Sequence, residues 1–151
     1  MKARSIGATL VALIALSIVA APTLANGRPL RAELSGANEL SGGDPDGSGV
    51  ARLRLNQGRH RICYKIEVAD IALPVTAAHI HEGAADVDGA IVVEFGPFDE
   101  GTAVGCVTDL ERSLIKAIRR HPADYYVNVH NDEFPDGAVR GQLSRWAPCR
   151  A

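Results

Sequence analysis

The sequence predicts an all-β fold: an antiparallel Greek-key β-sandwich of about seven or eight strands, with one short helix at about 109–120. Three observations predict it. Apolar and polar residues alternate with a period of two in most segments after residue 28. Gly, Pro, Asn and Asp clusters punctuate these segments every ten residues or so. Helical periodicity occurs in a single stretch. With 151 residues the chain suits one domain, and with only 5% aromatic residues its core must be aliphatic. A net charge of −2 excludes a nucleic-acid binder that relies on bulk positive charge.

The N-terminus reads as a leader. Lys2 and Arg4 precede an uncharged apolar run, Ile6 to Ala21; Pro22 breaks it, and Thr23-Leu24-Ala25 supplies small residues for cleavage. Residues 1–25 are therefore expected to be a signal peptide cleaved after Ala25, leaving one domain over 26–151 with its core at about 30–145. The apolar run is short for a membrane span, so no transmembrane segment is expected after cleavage. Location is expected to be secreted or periplasmic.

The strands follow in order. Leu30, Ala32 and Leu34 alternate with Arg31, Glu33 and Ser35. A loop fills 41–49. Ala51, Leu53 and Leu55, a turn at Asn56-Gln57-Gly58, and Ile62, Tyr64, Ile66 and Val68 form an expected hairpin. Further strands are expected at 75–82, 90–95, 102–108, 124–130 and 138–145. The helix is announced by Thr108-Asp109-Leu110-Glu111, which matches a capping box, and by Leu110, Leu114, Ile115 and Ile118 on one face; Pro122 stops it. Leu53, Leu55, Ile62, Tyr64, Ile66, Ile80, Val127, Val129 and Leu143 are the expected core.

Outside the cytosol thiols pair. Cys63, Cys106 and Cys149 allow three single disulfides. Cys63 and Cys106 lie within strand-like segments and Cys149 three residues from the end, which favours Cys63–Cys106.

Two histidines, His79 and His81, fall on one face of the 75–82 strand, and His130 ends another strand on the face it shares with Asn128 and Tyr126. Three imidazoles from neighbouring strands suit copper or zinc. The competing reading is structural, with the imidazoles bonded to loop carbonyls. Glu82, Asp88 and Asp132 are candidate further ligands or acceptors, and Glu82, Asn128 and Arg140 candidate supporting residues. His60 and His121 read as surface residues. The segments Ile80-His81…Asp88-Gly89-Ala90-Ile91 and Val129-His130…Asp136-Gly137-Ala138-Val139 echo one another. No nucleophile elbow or phosphate loop is present, so no catalytic residue is assigned. Asp44, Asp46, Asp86 and Asp88 lack EF-hand spacing and read as turn residues.

Leu34-Ser35-Gly36-Ala37-Asn38-Glu39-Leu40, Ala78-His79-Ile80-His81-Glu82-Gly83, Tyr125-Tyr126-Val127-Asn128-Val129-His130 and Phe134-Pro135-Asp136-Gly137-Ala138-Val139-Arg140-Gly141-Gln142-Leu143 together resemble the CHRD domain, named for chordin, in its short microbial secreted form. The resemblance implies a non-catalytic extracellular binding or structural module of unknown ligand, with an extracellular protein or other ligand as partner; the net charge, not the resemblance, argues against nucleic acid. Chordin's antagonism of growth factors does not transfer to a lone domain. The Cys63–Cys106 pair is similar to the pattern of short bacterial members. Locally, Ala78-His79-Ile80-His81-Glu82 resembles the copper-binding strand of copper–zinc superoxide dismutases. That likeness implies His79, His81 and His130 as copper ligands and Arg140 as an anion guide, but no His-rich zinc loop and no bridging His accompany it. Metal binding, with copper or zinc as cofactor and a possible redox role, is thus the alternative function.

Overall fold

In the computed structural model, residues 28–146 are described. The expected leader and Cys149 lie outside them. Strict alternation drives the build: in β2 (Ser48–Asn56) and β3 (Arg61–Ala69), Ala51, Leu53, Leu55, Ile62, Tyr64 and Ile66 are all buried while their neighbours face outward. Among the described residues nine antiparallel strands form, the others being β1 (Arg28–Ser35), β4 (Val75–Glu82), β5 (Ala90–Glu94), β6 (Thr102–Val107), β7 (Tyr125–Asn131), β8 (Val139–Gln142) and β9 (Ser144–Arg145).

Their order is β5-β4-β7-β8-β1-β2-β3-β6, with β9 on β1. The β1–β8 junction rests on one register pair, Ser35 with Arg140. It divides the sheet into two layers, β5-β4-β7-β8 and β9-β1-β2-β3-β6, which share one aliphatic core. The fold is thus a nearly closed sandwich whose free edges are β5 and β6. Phe95, just beyond β5, packs on Tyr64 of β3 (ring centroids 4.6 Å apart), and the Gly96 amide donates to the Tyr64 hydroxyl, drawing the open side together. All nine expected core residues are buried.

Two expectations at element boundaries are corrected. The segment 138–145 is two strands, not one. After Gln142 the buried Leu143 amide donates to the Tyr125 carbonyl of β7, and Ser144 then changes partner to Arg31 of β1. The helix α1 (Arg112–Arg120) starts later than expected, and the Thr108–Glu111 capping box does not form. Thr108 donates instead to Asp109, which adopts a left-handed backbone (φ 60°) and turns the chain so that the Leu110 amide meets the His60 carbonyl. Glu111 stands at the N-cap with no side-chain bond. Ile115 and Ile118 enter the core as the helical spacing requires.

The cysteine pairing holds. Cys63 and Cys106 are register partners on β3 and edge strand β6, and they form a disulfide on the outer face. Among the described residues no helix is long and apolar enough to cross a membrane.

Candidate metal centre

The centre lies on the outer face of the β5-β4-β7-β8 layer, and alternation puts it there. Ala78 and Ile80 point into the core, so His79 and His81 point away from it; Val127 and Val129 do the same for Tyr126, Asn128 and His130. The β4–β7 register sets His79 opposite Asn128, His81 opposite Tyr126 and Ala77 opposite His130. His130 is thereby the diagonal neighbour of His79. One ring nitrogen from each of His79, His81 and His130 lies within 4.8 Å of the other two.

The echo noted in the sequence is spatial. Hairpins β4–β5 and β7–β8 lie side by side. The offset that relates Ile80 to Val129 also relates His81 to His130, and His79 to its own register partner Asn128. An approximate two-fold axis therefore passes through the His79–Asn128 pair.

The two histidines related by this axis are held alike. His81 donates from Nδ1 to the Gly89 carbonyl and His130 from Nδ1 to the Pro135 carbonyl, each at 2.9 Å. A carbonyl only accepts, so both rings carry their proton on Nδ1 and present an unprotonated Nε2. His130 Nε2 lies 3.2 Å from His79 Nδ1, which donates to it when no ion intervenes. His81 Nε2 is buried and has no partner. Gly89 is needed for this arrangement, because a Cβ there would collide with the Glu82 carbonyl.

Burial holds all three rings in the neutral form. Partial desolvation, reinforced by the neighbouring His130 and His81, pushes His79 down to about 4. Desolvation also lowers His81 and His130, against the opposing effect of their backbone carbonyl bonds. An open groove of about 440 Å³, walled by Val75, Phe95, Pro97 and Phe98, reaches His79 and Glu94.

Arg140 supports the centre from behind. It is 2% exposed. Its guanidinium bonds Asp88 and the carbonyls of Ala84, Ala85 and Val87, and it stacks 3.5 Å above the Tyr126 ring. Tyr126 in turn stacks flat against His81, with centroids 4.7 Å apart. Arg140 thus fixes the loop that ends in Gly89, the residue whose carbonyl orients His81. Its Nη1 and Nη2 are engaged with that loop. Asp88, weighed as a ligand, is the partner of Arg140, and Asp132 is exposed. Glu82 lies on the face opposite the histidines, where it accepts from the Tyr125 hydroxyl. Asn128 donates from Nδ2 to Glu39 at 2.6 Å, while its buried Oδ1 has no partner.

Glu39 is the site residue that the sequence reading passed over. It follows a short 3-10 turn (Gly36–Asn38) tied by Asn38 to the Arg140 carbonyl. Burial raises its carboxyl to about 7, against the pull of Arg140 and Asn128. Gly137, at φ 141°, lets it in; a Cβ there would meet both Asn128 and Glu39. A charged residue inside an otherwise uncharged Ser-Gly-Ala-Asn-Glu-Leu run was the available signal.

The CHRD domain family model matches residues 30–143. The chain belongs to the CHRD family. The match covers β1 from Leu30 onward and all of β2 to β8, and it includes His79, His81, His130, Glu39 and Arg140. No curated protein and no solved structure matches the chain. CHRD domains are extracellular, and the disulfide of this one fits that setting.

Proposed function

We propose that this CHRD domain is an extracellular binding module, secreted or periplasmic after loss of a leader at residues 1–25, and that its ligand is a copper or zinc ion held by His79, His81 and His130. One observation carries the reading: three neutral imidazoles converge, and in two of them a backbone carbonyl takes the Nδ1 proton, so that Nε2 is left as donor. A purely structural cluster needs its ring nitrogens satisfied, whereas His81 Nε2 is buried without a partner. The donor set fits the ion, because imidazole is a ligand common to copper and zinc.

In this reading Nε2 of His81 and His130 and Nδ1 of His79 are the ligand atoms. Arg140 and Tyr126 hold His81 in place, and the groove beside His79 admits a further small ligand. Calorimetric titration of tag-free protein with Zn²⁺ and Cu²⁺ tests it. Wild type binds one ion, and His79→Ala and His130→Ala each weaken binding by at least about tenfold, roughly 1.4 kcal/mol. Equal weak binding by all three proteins would leave a hydrogen-bonded cluster and no metal function.

A further inference from the structure

The second layer carries a charge pattern that the fold does not require. On the outer face of β1, β2 and β3, Arg31, Arg52 and Lys65 stand directly opposite one another in a single register row. Like charges placed opposite across strands destabilise a sheet, and threonine would serve a solvent-facing strand position better. Arg54 and Arg61 extend the face along β2 and β3. Among the described residues, Glu33 and Glu67 alone form ion pairs with these five cations: Glu33 pairs Arg31, and Glu67 is shared by Arg52 and Lys65. Arg54 has no ion pair among the described residues, and the Nε atoms of Arg31 and Arg61 are buried without partners. Five cations against two carboxylates give this face a positive excess on a chain whose net charge is −2.

The chain's one Trp borders the same face. The Trp146 amide donates to the Pro29 carbonyl and continues the β9–β1 ladder, so alternation places Trp146 with Ser144 on the outer side, in the row of Pro29 and Arg54. The face is therefore a broad sheet of arginines with an aromatic residue at its border.

We propose that this face binds a linear acidic polysaccharide. Four of the five cations are arginines, whose planar forks suit carboxylate and sulfate oxygens. Membrane insertion is disfavoured, because among the described residues Val104 is the single exposed large hydrophobic one on this face. Stacking on single-stranded nucleic acid would need several aromatic platforms, and the face has one.

The experiment is a titration of the metal-free protein, in EDTA, with polygalacturonate, read by Trp146 fluorescence. The chelator makes the result independent of the metal reading. Saturable binding that weakens with added salt is expected, with none to neutral dextran. Arg54→Glu breaks no ion pair and should weaken binding about tenfold; the triple variant Arg31→Gln, Arg54→Gln, Lys65→Gln should weaken it further, with an unchanged far-ultraviolet circular dichroism spectrum. Lys116→Gln, on α1, should bind as wild type does. The proposal is overturned if wild type does not bind, if Arg54→Glu binds as tightly as wild type, or if phosphatidylserine vesicles or duplex DNA bind more tightly than the polysaccharide.

Discussion

Glu39 and the three histidines respond to pH in opposite senses. The fold favours the neutral rings, so the contribution of His79 is complete above its ordinary value of 6.5 and is lost as pH falls toward about 4. For Glu39 the fold favours the protonated acid. That contribution is complete below 4.5 and disappears as pH rises through about 7. Glu39→Gln keeps a neutral side chain at every pH. Its melting temperature should therefore gain on wild type as pH is raised from 4.5 to 7, as scanning calorimetry would show. A constant difference between the two proteins across that window would mean that Glu39 is not held protonated against Asn128. Because burial lowers all three histidines, protons should compete with the metal only at a pH below the ordinary imidazole value of 6.5.

The elements were legible wherever alternation alone decided them. The nine expected core residues follow from a period of two, and so does the placement of His79 and His81 on the face away from Ile80. Legibility ended where a tertiary hydrogen bond overrode a local motif. The Thr108–Glu111 capping box lost to the Leu110–His60 backbone bond, and Leu143 split a continuous strand because β7 and β1 lie in different layers. Glu39 could not be placed, because its partner Asn128 is far away in sequence. Arg140 was read as a supporting residue, but the loop it holds was not visible from spacing.

That loop gives a test. Arg140→Met removes the donors on Ala84, Ala85 and Val87, loosens the Gly89 carbonyl, and should weaken Zn²⁺ or Cu²⁺ binding by about 10–100-fold, as changes to residues supporting a metal ligand do. Undiminished affinity would break the link from Arg140 through the loop to His81. The disulfide gives another. It ties edge strand β6 to β3 across a sequence separation of 43. Replacing Cys63 and Cys106 together by Ala should cost about 4 kcal/mol in denaturant melts. A loss below about 1 kcal/mol would show that β6 is already held by its backbone ladder and packing.

At the scale of the whole molecule, the two layers of the sandwich do different work with one core. The β5-β4-β7-β8 layer is built from two echoed hairpins, and the approximate two-fold between them explains why the histidine set is incomplete. His81 and His130 are related by the axis, while His79 on the axis faces Asn128 instead of a fourth imidazole. Asn128 is turned to Glu39 instead, a half-buried acid whose carboxyl is raised to about 7 by desolvation. The opposite layer spends its outer face on arginines. The central claim is that the three converging imidazoles bind an ion, and the most direct measurement is a crystal structure of the zinc- or copper-loaded protein with anomalous scattering recorded at the metal edge. The account predicts one peak bonded to His79 Nδ1, His81 Nε2 and His130 Nε2, with metal–nitrogen distances of about 2.0–2.1 Å. No peak among these rings, with His79 Nδ1 still bonded directly to His130 Nε2, would contradict it.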